Sequence, residues 1–314
     1  MNKIFTIILL FLLISTKSNS QCCSAGNPLG GDGSHEGLNK NELTLFTSFK
    51  YSISKYYYFH DSKAAIPNVE KSFYDYQNLT ISYGISSRLS IKTELGYFYD
   101  KTQIDNINNE EILFKSKGLG DLGLTVRYTL LKTFKPQAQL VISAGTKIPI
   151  GAFNEDINGV TVPIALQPSS GALKFIGSVY YSRKRADRKF GWNTYLLFEA
   201  SNTINEGYLV YKYGNLMQYS LAATYSLNKQ LNFLLNSKFE WRAHDKRENE
   251  TIIESTGSKV VFLNPQIIYT FKSNWSVLAM LEIPIYKYVN GYQLTNQFSF
   301  LIGLRKSFFI KAGS

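Results

Sequence analysis

Beyond about residue 40, apolar and polar residues alternate one by one along most of this chain. The first run sets Leu43, Leu45, Thr47, Phe49 and Tyr51 against Thr44, Phe46, Ser48 and Lys50. Leu79, Ile81, Tyr83 and Ile85 follow, then Leu89, Ile91, Thr93, Leu95 and Tyr97, then Leu122, Leu124, Val126, Tyr128 and Leu130. Eight more runs occupy 137–150, 171–183, 190–203, 216–228, 230–243, 258–272, 274–287 and 293–308. A period of two gives a strand two unlike faces, whereas on a helix it scatters apolar residues around the whole circumference. The chain is therefore read as all-β, with twelve strands.

The same argument decides a nucleotide-like motif. Gly118, Gly120 and Gly123 have the GxGxxG spacing of a dinucleotide site. That site needs a helix after the glycines, and here Leu122–Leu130 alternates as a strand. No cofactor is expected.

The links between runs alternate short and long. Short ones fall at 86–88, 132–136, 184–189, 228–229 and 272–273. Long ones fall at 52–76, 101–118, 151–170, 204–215 and 244–257, with a modest one at 288–292. Short and long links on opposite ends of the strands match bacterial outer-membrane barrels, with tight periplasmic turns and long extracellular loops. An even strand count puts both ends of the barrel on the periplasmic side. Closure also leaves no unpaired sheet edge in lipid.

The charges follow the alternation. Lys50, Lys92, Glu94, Asp121, Arg127, Lys147, Lys174, Glu199, Lys238, Glu240, Arg242, Glu282 and Arg305 each stand opposite the apolar set of their run. In a soluble sandwich that charged face would point outward. In a membrane barrel it lines the lumen, and these thirteen residues are the candidate lumen charges. The two architectures share the same alternation. The barrel is favoured by the loop asymmetry and by aromatics near run ends, among them Tyr51, Tyr97, Tyr99, Trp241, Trp275, Phe308 and Phe309.

Residues 1–20 read as a secretory signal peptide, with Lys3, an apolar run from Ile4 to Ile14 and a small polar stretch ending at Ser20. The run is shorter than the roughly 20 apolar residues that span a bilayer. The formal charge of +11 is not gathered into a basic cluster, so no nucleic acid is expected. Residues 21–40, Gly-rich and polar, are read as a periplasmic segment or a partial plug. The barrel then takes 41–309, and 310–314 form a short tail after Phe309.

The chain's 2 cysteines exclude a disulfide framework. Cys22 and Cys23 are read as an unremarkable or interchain-reactive thiol pair. Gln21 intervenes before a lipid-anchor cysteine, and neighbouring Cα atoms, about 3.8 Å apart, strain a vicinal disulfide. A metal at these thiols with His35 lacks ligands. Of the three histidines, His35, His60 and His244, only His244 lies on a charged strand face, and no nucleophile is indicated beside it. The chain is not expected to be an enzyme.

The sequence resembles the outer-membrane proteins grouped under meta-pathway phenol degradation. The resemblance rests on "GLGDLGLTVRYTLL" (118–131), "KIPIG" (147–151), "PSSGALKFIGSVYYSR" (168–183), "LNPQIIYTF" (263–271) and "LEIPIYKYVNGYQLTNQFSFLIGLRKSF" (281–308). It implies a barrel that passes or binds small, apolar or aromatic molecules, with outer-membrane lipid and the barrel assembly machinery as partners. The alternative is a filled barrel serving surface binding or envelope structure.

Overall fold

The computed structural model describes residues 35–65, 69–107, 110–134, 137–154, 156–157, 160–185, 189–206, 209–271 and 274–310. The expected leader, Cys22, Cys23 and residues 311–314 lie outside these.

Eleven strand elements close into one antiparallel barrel, the last of them doubling back on itself. They are β1 (Glu42–His60), β2 (Val69–Gly84), β3 (Leu89–Ile107), β4 (Leu122–Phe134), β5 (Gln137–Ile148), β6 (Lys174–Lys184), β7 (Phe190–Ser201), β8 (Leu216–Ser226), β9 (Leu231–Arg242), β10 (Ser258–Thr270) and β11 (Trp275–Phe309). Each pairs with its sequence neighbours, and β11 returns to β1 to close the wall. Two short strands, Ser62–Ala64 and Glu110–Leu119, pair outside this ring with β1 and β3.

The twelve separate runs expected from sequence are thus eleven strands, because the last two are joined into one element of 35 residues. Its two arms run in opposite directions. Residues 276–289 pair antiparallel with β10, residues 289–309 pair antiparallel with β1, and a ring of odd number cannot be antiparallel throughout. The reversal falls at Asn290–Gly291, where Gly291 has φ 58°, a left-handed value open to glycine at little cost.

Several expected long links are shorter than read. β1 continues to His60 and β2 begins at Val69, so much of 52–76 is strand. Register shifts beside Ser54 interrupt the alternation there, which hid the extension. The 101–118 link likewise carries the end of β3 and the strand Glu110–Leu119 folded back on it.

The polarity of the wall is inside-out. Along β4, Val126 is 50% exposed while Arg127 and Thr129 are 4% and 2% exposed. Leu79, Ile81, Leu221, Leu235, Ile267, Leu281, Ile283 and Ile302 all point outward. Buried within are Ser48, Ser52, Asn78, Thr80, Gln218, Ser220, Asn264, Gln266 and Ser299. Each strand therefore satisfies one face by hydrogen bonding inside the barrel and leaves the other face apolar. Exposed aromatics gather near the strand ends, with Phe190 against Tyr225, Tyr269 against Phe271, and Phe59 against Tyr292. Lys306 lies over the Trp275 ring.

One aromatic slot fixes local register. Tyr76 and Phe98 are almost fully buried, their rings 4.6 Å apart. Tyr76 lies across Gly96, where an added Cβ would sit 1.8 Å from the Tyr76 hydroxyl oxygen. Gly96→Val is expected to expel that ring and destabilise the barrel by about 1–3 kcal/mol. The measurement is the unfolding midpoint in detergent, and an unchanged midpoint would show that the slot has slack.

Candidate functional site

The interior is organised by two groups of lysine–carboxylate pairs. Glu282 on β11 accepts from Lys50 Nζ of β1 at 3.0 Å and from Lys238 Nζ of β9 at 2.5 Å. Lys238 also lies 3.9 Å from Glu240. In the second group Glu199 on β7 accepts from Lys147 Nζ at 2.7 Å, and Lys174 stands 3.7 Å away. Lys92 pairs with Glu94 at 3.0 Å along β3. Strand alternation puts all these side chains on the inner face, and closure brings residues as distant in sequence as Lys50 and Glu282 together.

Eight of the thirteen candidate charges are buried: Lys50, Asp121, Arg127, Lys147, Lys174, Glu199, Lys238 and Glu282. Lys92, Glu94, Glu240, Arg242 and Arg305 are half-buried. Arg127 donates from Nη2 to Ser82 Oγ at 2.7 Å and from Nη1 to the Glu36 carbonyl oxygen at 3.1 Å.

That last contact places the segment before β1 inside the barrel. His35 stacks on Tyr195 with ring centroids 3.7 Å apart, and its ring lies 5.7 Å from that of Tyr180. Gly37 exchanges two hydrogen bonds with the Gln139 side chain, both 3.2 Å, and Leu38 is buried. Residues 35–38 thus enter the lumen from the end where β1 begins.

The opposite mouth is filled by residues 162–170 of the 151–173 connection. Ala165 and Leu166 of the short 3-10 turn Ile164–Leu166 are buried there, Ala165 packed against Tyr57 and Leu294. Lys101, 1% exposed, donates to the Gln167 carbonyl oxygen at 2.7 Å. Ser116 Oγ donates to the Leu166 carbonyl oxygen. Asp121, with no exposed surface, accepts from Ser169 Oγ at 2.7 Å, Ser170 N at 2.9 Å and Ser170 Oγ at 2.6 Å.

The glycines before Asp121 make this possible. The strand Glu110–Leu119 and β4 both run along β3 and are parted at Gly120–Asp121. Gly118 there has φ 149°, and Gly120 N donates to the Gly96 carbonyl oxygen at 2.8 Å. The break turns the Asp121 carboxylate inward onto the cap.

A three-stranded sheet, Thr203–Glu206, Leu209–Lys212 and Lys246–Arg247, packs on the cap through Ile204 and Tyr211 against Ala172 and Ile164. Tyr213 OH donates to the Ser170 carbonyl oxygen at 2.9 Å, and Lys174 lies over the Tyr213 ring. Tyr211 OH donates to Asp245. Burial first, and the Asp245 charge second, push the Tyr211 phenol far above its ordinary pKa, so it stays a donor across the physiological range.

Between the inserted segment and the cap lies a cavity of about 130 Å³. His35, Arg127, Lys147, Gln218, Asn264 and Glu282 are among its lining residues. Of the sequence candidates, Lys92, Glu94, Arg127, Lys147, Lys238 and Glu282 border it. Sequence reasoning missed Lys101, Ser169 and Ser170, whose role comes from contacts across the barrel. The only sequence signal for the two serines is the "PSSG" stretch itself, and Lys101 has none.

The other histidines are remote from it. His60 shares a 2.6 Å hydrogen bond with Tyr288 OH, and His244 Nδ1 lies 3.4 Å from the Ile253 carbonyl oxygen. Among the described residues, no group of three or more His, Cys, Asp or Glu is placed to hold a metal ion.

Residues 60–302 match the family model described as "Putative MetA-pathway of phenol degradation". An outer membrane channel from Pseudomonas putida F1 is similar in structure, with TM-score 0.72 at 14% identity, covering 90% of this chain and 100% of that one. A FadL homologue from Pseudomonas aeruginosa aligns with TM-score 0.46 at 9% identity, covering 86% of this chain and 91% of that one. No curated protein matches the sequence.

Proposed function

Since the chain belongs to the family whose model covers residues 60–302, a family of bacterial outer-membrane barrels, we propose that it passes or binds small molecules through its lumen and performs no catalysis. The observation that carries this reading is the inside-out wall enclosing a polar cavity. Hydrocarbon solvates the outward Leu, Ile and Val faces, and the closed ladder leaves no edge in lipid. The exposed aromatics near strand ends suit the two membrane–water interfaces. The short turns then lie on the periplasmic side, and the cap faces outward.

The family description supports apolar or aromatic solutes as cargo. Residues 35–38 narrow one entrance and residues 162–170 the other, so loosening either widens the path and full opening requires both to yield. The same occupation favours a second reading, a barrel whose lumen stays filled and whose loops serve the surface.

Conductance separates the two. Replacing residues 35–40 by an equally long Gly/Ser stretch removes the His35–Tyr195 stack and the Gly37–Gln139 exchange. Single-channel current in planar bilayers is expected to rise severalfold, with faster solute uptake into liposomes. Absence of both current and uptake, before and after the replacement, would leave the filled barrel as the correct reading.

A further inference from the structure

The formal charge of +11 is scattered along the sequence, but closure of the barrel sorts it between the two ends. The five short links, at 86–88, 132–136, 184–189, 228–229 and 272–273, carry nine Lys or Arg and one acid, Asp187. The longer links carry nine Lys or Arg against 13 acids. Antiparallel pairing around the ring puts the short links on one rim, so that rim is strongly basic and the opposite one mildly acidic. Among the described residues, Lys40, Arg183, Arg305 and Lys306 add to the basic end, against Glu36 and Glu42.

The basic side chains stand among outward-facing aromatics. Arg183 is exposed and lies directly across from Trp192, whose ring packs on Tyr181 with centroids 5.2 Å apart. Lys189 precedes β7 and Lys229 follows β8, the two strands that carry the Phe190–Tyr225 pair. Lys306 Nζ lies 5.0 Å from the centre of the Trp275 ring, on the face of β11 that also presents Ile302 and Leu304 outward. Phe134, two residues beyond Lys132, is 75% exposed. Trp and Tyr rings settle at a membrane–water boundary, and Lys and Arg lay their stems along apolar surface while the charged heads reach water. A charge on a barrel's outer face loses most of its penalty at that level.

This arrangement selects a partner. A soluble acidic protein would approach the rim from the water, whereas Arg183 and Lys306 share the outward face with the apolar wall. The anions met at that level are lipid phosphates, and with the short turns on the periplasmic side the leaflet is one of phospholipids. We propose that the short-turn rim binds anionic phospholipid head groups of the phosphatidylglycerol type, fixing that end of the barrel in its leaflet. This binding requires the membrane placement given above and is independent of passage through the lumen.

The test is quenching of tryptophan fluorescence by lipids brominated in their acyl chains, with the full chain reconstituted in phosphatidylcholine vesicles containing a minority of phosphatidylglycerol. Of the chain's 3 tryptophans, Trp192 and Trp275 lie near the basic rim and Trp241 near the far end of β9. Two single-tryptophan chains, Trp241→Phe/Trp275→Phe and Trp192→Phe/Trp275→Phe, report the two ends. Brominated phosphatidylglycerol is expected to quench Trp192 about twofold more than brominated phosphatidylcholine at the same mole fraction, while the two lipids quench Trp241 equally. Molar salt, which shortens the Debye length to about 3 Å, abolishes the excess, and so does Arg183→Gln/Arg185→Gln/Lys189→Gln. Where that variant does not fold, the salt comparison on the unaltered rim decides.

Equal quenching of Trp192 by both lipids at low salt would overturn the proposal and leave the rim to an acidic partner in water. An equal excess at Trp241 would overturn it as well, because the preference would not belong to the basic end. Displacement of brominated phosphatidylglycerol by smaller amounts of unlabelled lipid A would assign the rim to glycolipid phosphates instead. Quenching of neither tryptophan by either lipid would sink the membrane placement itself.

Discussion

Glu282→Ala is expected to destabilise the barrel more than any other single change to its interior and to shift its ion preference toward anions. Glu282 is the shared partner of Lys50 and Lys238, and all three are buried. Removing the carboxylate leaves two buried ammonium groups with less compensation, and breaking a buried pair from one side costs about 3–5 kcal/mol. Glu240, 3.9 Å from Lys238, recovers part of that for one lysine only. Adding Lys50→Met to Glu282→Ala removes the more isolated charge and is expected to restore part of the loss, a coupling that a double-mutant cycle measures. The unfolding midpoint in detergent reports the stability, and the reversal potential in a salt gradient reports selectivity. Unchanged values of both would mean that lumen water screens the triad fully and that it neither staples the wall nor sets the lumen charge.

Asp121→Ala is expected to release the outer cap. Its carboxylate accepts three hydrogen bonds from Ser169 and Ser170, and its loss strands three donors at a buried site. Each costs about 1–3 kcal/mol when left unsatisfied. Lys101 on Gln167 and Tyr213 on Ser170 still tether the connection, so the barrel remains folded while the cap loosens. The expected results are a severalfold increase in single-channel current and new protease cleavage within 151–173, with Asp121→Asn intermediate because it retains an acceptor. A cap that stays protected, with current unaltered, would assign the closed state to the inserted His35 segment alone.

Much of the wall was legible in the sequence because alternation is a local property. Leu122–Leu130 shows both faces of β4 in nine letters, and the inward set there, Arg127 and Thr129, is the buried one. Where the backbone departs from regular pairing the reading weakened. The aromatic stretch Tyr56–Phe59 follows the register shifts beside Ser54, so its strand character was lost in a presumed loop. The link read at 288–292 is the Asn290–Gly291 reversal, shorter than read because the two strands run right up to it.

The GxGxxG spacing is a pattern whose letters carry no helix, as the alternation of Leu122–Leu130 indicated. Its first two glycines serve the break that aims Asp121 at Ser169 and Ser170, 48 and 49 residues further along. Nothing near Asp121 in sequence names those partners.

By itself the sequence determined that this chain is a sheet of two-faced strands and which residues share a face, because successive side chains on an extended backbone point to opposite sides. The alternation alone left open which face looks inward, since a sandwich and a barrel share it, and the loop asymmetry with the aromatics near run ends pointed to the barrel. Only the closed tertiary structure supplied the contacts across the lumen: Lys50 with Glu282, Lys147 with Glu199, His35 on Tyr195. Those partners depend on the stagger with which the strands close, a property of the whole ring, and no stretch of a single strand contains it.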